Sequence, residues 1–286
     1  MPATLLVELT GEPTDAATLE TAFLTARLFD AHMECVHVES NWHQRVAEAV
    51  DSDFTGAMAS EEFLAALERE AKVLAWRAHR HFLAFSRDRS LGALDVPSRT
   101  RAVSATWREF SGDRPHEFLK LARVHDLAVM PHHQDINTLG SFVLNAGRPV
   151  LLVPQSIPEN LAPTIAIAWK NSPESARAIT AAMPLLAKAD RILVLSVQDR
   201  NGAEETVDST ERVVQQLGWH GFNAKAHHLL PCDHSVAATI ERFARRNKAD
   251  LIVSGAYGHS RLRELVLGGV TRDLLGGCSL PLFLFH

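Results

Sequence analysis

The residues of this chain best placed to do chemistry are a set of glycines. The stretch "SGAYGHSRLRELVLGGVT" (Ser254 to Thr271) leaves an apolar run, places Gly255 and Gly258, and after nine intervening residues gives Gly268 and Gly269 ahead of Thr271. Where a chain leaves the carboxyl end of a parallel strand and turns into a helix, backbone N–H groups are left free. The helix dipole adds partial positive charge, so phosphate binds there readily. Glycine at such a turn admits positive φ and lets a ligand approach the main chain closely. Thr271 adds a hydroxyl, and Lys170, in "AWKNS" (Ala168 to Ser172), offers a point charge for a phosphate or else sits on an exposed turn.

A second cluster has metal-ligand character. "HHLLPCDHS" brings His227, His228, Cys232, Asp233 and His234 within eight residues, and zinc would be held through His228, Cys232 and His234. Asp233 serves equally well as a helix cap, and neither Cys-x2-Cys nor His-Glu-x-x-His is present. His132 and His133 in "MPHHQD" read as a polar loop after a strand. Other catalytic signatures are missing. There is no Gly-x4-Gly-Lys-Ser/Thr loop, no Gly-x-Gly-x-x-Gly after the first strand of either half, and no Gly-x-Ser-x-Gly elbow. No carboxylate pair assigns an acid and a base, so no catalytic residue is named.

The elements that must carry these residues repeat along the chain. "RVHDLAVM" (Arg123 to Met130) answers "NKADLIVS" (Asn247 to Ser254), and "GRPVLLVP" (Gly147 to Pro154) answers "SLPLFLFH" (Ser279 to His286). "TLLVELT" and "TIAIAWKNS" open the two halves at Thr4 and Thr164. Short continuous apolar runs such as "RILVLSV" indicate strands buried on both faces of a parallel sheet. Between them, Val207, Thr210, Val214 and Leu217 fall at helical spacing before Gly218 as a stop, and Val236, Ile240 and Phe243 do so behind Asp233 or Ser235. Strand and helix alternate, which predicts an α/β fold of two tandem doubly wound, Rossmann-like domains. The proline-rich "VPQSIPENLAPT" reads as the linker, giving domains 1–156 and 157–286. The first half is longer between residues 40 and 90, where a long amphipathic helix is predicted with Phe63, Leu67, Leu74, Phe82 and Phe85 on one stripe behind Ser60.

Composition sets the remaining bounds. With 286 residues, 46% hydrophobic and 22% charged, the chain can bury a real core. A formal charge of -5 gives no global attraction to nucleic acid or an acidic membrane surface. No apolar run is long enough to span a bilayer, and "MPATLLVELTGEP" lacks signal-peptide regions. Three scattered cysteines, Cys35, Cys232 and Cys278, suit a reducing compartment, and a cytoplasmic protein is the expectation.

Gly-x2-Gly-x9-Gly ahead of Val-Thr, closing a chain of this topology, resembles the universal stress protein family. "IAIAWKNSPESARA" (Ile165 to Ala178) is similar to that family's first strand and turn, and "LPLFLF" to its last strand. The resemblance covers residues 160–286 strongly and the first half more weakly. It implies five-stranded parallel sheets with helices on both faces, pairing antiparallel through the final strands, in a stress-response binding or regulatory protein. It further implies ATP or a related nucleotide in the second domain, with Gly255, Gly258, Gly268 and Thr271 along the phosphates, and slow ATP hydrolysis at most. Two positions depart from the ATP-binding pattern: Lys170 stands where those members have aspartate, and Gly269 where they have Ser or Thr. The first half has Gly140 and Ser141 without the glycine spacing, and reads as structural or regulatory. An interaction scaffold of the same fold is the alternative. A homodimer and an unidentified protein partner are expected, with no nucleic acid and no membrane.

Overall fold

The fold was described from a computed structural model of the chain, covering residues 2–40, 61–92, 96, 102–132, 135–197, 203–231, 235–256 and 269–286. The first half runs β1 (Thr4–Glu8), α1 (Asp15–Phe29), β2 (His32–Ser40), α2 (Glu61–Asp88), β3 (Ser104–Gly112), α3 (Arg114–Ala122), β4 (Leu127–Pro131), α4 (Ile136–Asn145) and β5 (Val150–Val153). The second runs β6 (Thr164–Ala168), α5 (Pro173–Leu186), β7 (Arg191–Val197), α6 (Ala203–Trp219), β8 (Ala224–Leu229), α7 (Val236–Arg246), β9 (Leu251–Gly255), α8 (Gly269–Leu275) and β10 (Leu282–Phe285).

All ten strands form one sheet, in the order β3-β2-β1-β4-β5-β10-β9-β6-β7-β8. Pairing is parallel throughout each half. The halves meet where β5 and β10 run antiparallel, with Leu282 against Leu152, Phe283 against Leu151 and Leu284 against Val150. The two halves share their register as well as their order: Leu5 pairs with Leu127 as Ile165 pairs with Leu251.

Alternation along the strands sends side chains to two faces. Leu5, Val7, Ile165, Ile167, Val129 and Phe283 join one buried cluster under α1, α2, α5 and α6. Leu6, Ala166, Ala128, Ile252, Leu282 and Leu284 join the other, under α3, α4, α7 and α8. Each cluster draws on both halves, so the core does not stop at the β5–β10 seam.

The repeated Asp-Leu landmark has a structural reason. The Asp126 carboxylate accepts from the Ala3 and Thr4 N–H groups at 2.7 and 3.1 Å, and Asp250 accepts from the Thr164 N–H at 2.8 Å. Each aspartate ties the start of its half's fourth strand to the start of its first.

Two sequence expectations are adjusted and one is resolved between its alternatives. Helix α6 runs through Gly218 to Trp219, and the chain turns at Gly221, where φ is +80°. Of the two caps expected for α7, Ser235 accepts from the Ala238 N–H, and Asp233 lies outside the described residues. Helix α2 is present, but its buried face is Ala71, Ala75, Ala78 and Phe82, and Phe63 is exposed. Small residues let α2 lie close to the sheet, and bulkier Phe63 falls before the contact begins. Its expected cap, Ser60, lies outside the described residues.

Candidate functional site

The second half's first and fourth strands, β6 and β9, are neighbours, and the strand order reverses between them. That makes their carboxyl ends the topological switch point at which open α/β sheets receive ligands. Ala168 pairs with Ser254 there, so the structure brings the Lys170 turn and Gly255 side by side. Lys170 is exposed. Its turn is anchored by the preceding residue: the Trp169 backbone N–H donates to the Leu195 carbonyl at 2.8 Å, and its indole N–H donates to Ser209 Oγ at 3.3 Å.

Helix α5 begins immediately after, with Ser172 as N-cap accepting from the Ser175 N–H and Pro173 in its first turn. Gly255 lies against this turn. A Cβ at position 255 would stand 2.5 Å from Ser175 N and 2.6 Å from the Glu174 carbonyl carbon, both backbone atoms. Glycine here is therefore demanded by strand-to-helix approach, whatever else the site does.

Two residues absent from the sequence reading also stand here. Phe285 pairs with Gly255, which brings His286 alongside, and its Nδ1 is 3.0 Å from the Ala256 carbonyl oxygen. Glu174 stands in the first turn of α5. Burial pushes its carboxyl up, but bonds to its own backbone and to Ser172, with Arg177 and His286 nearby, outweigh this and hold it below the ordinary range. The sequence signal for His286 was its place one residue past a last strand that must pair with β9. Glu174 was hidden inside an ordinary acidic first turn.

Gly269 and Thr271 occupy a different element, α8, which packs against α7 and, across the seam, α4. Gly269 is exposed, and a Cβ there would meet nothing within 4 Å. Thr271 is buried, at 6% exposure. Gly258 and Gly268, the other two members of the spacing, lie outside the described residues.

The corresponding place in the first half is built differently. Pro131 holds the register position of Gly255. The turn after β1 spends its donors internally: the Asp15 carboxylate, fully buried, accepts from the Thr10 and Gly11 N–H groups at 2.8 and 2.9 Å and contacts His81 Nδ1 at 3.0 Å. Gly11, at φ +82°, lies directly under the Leu74 carbonyl of α2. Glu8, also buried, is paired with Arg114 Nε at 2.8 Å. In the first half, α2 and its partners thus cover the turn after β1.

The histidine cluster is divided by strand geometry. His227 and His228 are consecutive on β8 and so point to opposite faces of the sheet. His227 lies against the Phe243 ring at 4.9 Å, while His228 reaches Ser196 Oγ at 3.0 Å and Glu211 Oε1 at 3.4 Å. One ion cannot be held by both. Burial holds His227 below the usual histidine range, reinforced by Lys225 and His228. Cys232, Asp233 and His234 lie outside the described residues. Among the described residues no group of three His, Cys, Asp or Glu side chains is disposed to hold a metal. Cys35 and Cys278 are buried free thiols, and burial pushes Cys278 up to about 12, so neither is a ready nucleophile.

Residues 163–286 match the model of the universal stress protein family. A curated relative, universal stress protein Slr1230 of Synechocystis sp., is 33% identical over 78 residues, spanning 27% of this chain and 25% of that protein. Among solved structures, a universal stress protein from Archaeoglobus fulgidus DSM 4304 superposes with a TM-score of 0.64 at 13% identity, covering 99% of this chain and 95% of its own. Protein PA1789 of Pseudomonas aeruginosa PAO1, of unknown function, gives 0.59 at 14% identity, with 99% and 92% covered. These two likenesses extend the shared fold over both halves.

Proposed function

From the membership of residues 163–286 in the universal stress protein family, we infer that this chain is a stress-response binding protein. We take it as two units, residues 1–156 and 157–286, with a single nucleotide site in the second. The observation that carries the reading is the juxtaposition of exposed Lys170 with Gly255 at the β6–β9 switch point, beside the capped N-terminus of α5. ATP, or a related nucleotide, would present its phosphates to the glycine stretch, with Lys170 as a point charge and Gly269 opening α8. The first half supports one site per chain, because its equivalent turn is occupied by Asp15 and covered by α2. Cytoplasmic residence fits the buried free thiols, and no described helix is long and apolar enough to cross a membrane.

Isothermal titration with ATP, ADP and AMP tests this directly. The expected result is saturable heat at one nucleotide per chain, lost on Lys170→Glu. Absence of heat with all three at high protein concentration would remove the nucleotide.

A second reading keeps the fold and drops the ligand. It is favoured by Gly255 itself, whose lack of a side chain is already accounted for by the α5 backbone. On that reading the carboxyl edge serves as an interaction surface for another protein, and the titrations stay flat.

A further inference from the structure

We propose that His132 is a proton-sensitive latch by which the first half holds α8, the helix that Gly269 opens. His132 is the first residue beyond β4, and its N–H donates to the Val153 carbonyl at 2.8 Å, which fixes it at the seam. Its Nε2 stands 3.0 Å from the carbonyl oxygen of Leu275, the last residue of α8 and 143 positions further along the chain. A carbonyl only accepts, so Nε2 carries the proton and donates it. The last four carbonyls of a helix have no partner within it. Here the Gly277 and Cys278 N–H groups reach the Leu274 carbonyl at 3.4 and 3.2 Å, while the Leu275 carbonyl takes its bond from the other half of the molecule. Around this bond the contact is apolar, with Leu139, Phe142, Leu274, Leu275 and Cys278 in one buried cluster. The latch is one-sided. Ala256 holds the corresponding place in the second half, its N–H donating to the Phe285 carbonyl at 3.0 Å, and its methyl group cannot return the contact.

The surroundings of the ring make the contact depend on pH. Burial disfavours a charged imidazole and holds His132 below the ordinary histidine range, against the pull of the Leu275, Cys278 and Leu274 carbonyls and the Glu241 carboxylate. The charged and titratable groups on the elements packed here are Glu241 and Arg245 of α7, Arg272 and Asp273 of α8, Cys278 beyond it, and Asp135 at the head of α4. Each carboxylate is committed to another donor: Glu241 to the Ser279 N–H at 3.0 Å, Asp273 to Ser235 Oγ at 2.7 Å and Asp135 to the Thr138 N–H at 3.0 Å. Arg245 and Arg272 are exposed, and burial keeps the Cys278 thiol uncharged. A proton added at Nδ1 leaves the Nε2 bond formed but puts a charge in the seam, and parting from α8 returns that charge to water. His132, depressed in the fold, contributes its stability in full above the unfolded value of about 6.5, and the contribution is lost as pH falls through the folded value. Acid therefore loosens α8 from the first half. Given the nucleotide reading, on which this consequence rests, the same loosening weakens ATP binding, because the phosphates meet the head of α8.

Hydrogen exchange of the full chain without nucleotide, at pH 7.5 and pH 5.5, tests the latch through the amides of α8. In the parent, protection of α8 relative to α1 is expected to fall about threefold or more in acid, after correction for intrinsic rates. His132→Gln keeps a neutral N–H donor for Leu275 and is expected to hold α8 protected at both pH values. His132→Ala is expected to leave α8 poorly protected at both. ATP titrations at the same two pH values are expected to weaken in acid more for the parent than for His132→Gln. Protection of α8 that follows α1 in the parent, or that falls equally in His132→Gln, overturns the latch. ATP binding that weakens equally in both chains overturns its coupling to the site. Flat titrations throughout, with the exchange result as expected, remove the nucleotide and keep the latch.

Discussion

At the scale of single residues, the two Asp-Leu aspartates show one role tuned in opposite directions. Burial pushes Asp126 up, but the Ala3 and Thr4 N–H groups, the Thr4 hydroxyl and Arg148 outweigh it and hold the carboxyl below its ordinary value. Asp250 is raised, because burial exceeds what the single Thr164 N–H and Arg191 return. The linkage signs differ accordingly. Asp126, depressed in the fold, contributes stability above its unfolded value of about 3.9, and that contribution is lost as pH falls through the folded value. Asp250, raised in the fold, does the reverse: the fold gains stability as pH falls through its folded value toward about 3.9. Asp126→Asn is therefore expected to lose about 1–2 kcal/mol at neutral pH, with the deficit shrinking in acid. Asp250→Asn, which keeps an oxygen for the Thr164 N–H without a charge to bury, should stay within about 0.5 kcal/mol of the parent. Urea titrations at pH 7 and pH 3.5 check both. Equal losses at neutral pH would show that the two sites are not distinguished by their hydrogen bonds.

Between elements, glycines that look alike in sequence do different work. Gly255 is where β9 meets the first turn of α5, and an added methyl has only backbone to push against. Gly255→Ala should cost about 1–3 kcal/mol with or without nucleotide. Gly269 opens α8 into free space, so Gly269→Ser should leave the melting temperature nearly unchanged. On the nucleotide reading, the same change adds a hydroxyl at the head of that helix and tightens ATP binding in the titration above. If Gly255→Ala melts like the parent, the close approach of β9 and α5 is not as described. Helix α2 makes a related point: periodicity revealed a long amphipathic helix but not which stripe faces inward. Alanines at 71, 75 and 78 score weakly as apolar, yet they are what the close contact over Gly11 requires.

For the whole molecule, the decisive feature is that two similar halves form one continuous sheet with two continuous cores. Unfolding should therefore be a single transition, with Trp107 in the first half and Trp169 in the second reporting the same midpoint in single-tryptophan variants. Phe283, 2% exposed at the seam, is the sharpest probe, and Phe283→Ala should cost about 3–5 kcal/mol and lower both reporters together. Two separated midpoints in the parent chain would show that the seam does not couple the halves. Much of this architecture was legible in the sequence, because apolar runs, proline-led last strands and repeated Asp-Leu landmarks are local patterns that fix strand type and order. The glycine spacing pointed to the end of β9 as a candidate place for a ligand, and the structure sets Gly255 at the β6–β9 switch point. What local pattern could not supply was anything that depends on which elements touch. That Gly255 answers to α5, that α2 closes the first half's turn, and that His227 packs against Phe243 of α7 were decided only in the tertiary structure. Burial and approach distance arise between segments far apart in the chain, and no stretch of sequence carries them alone.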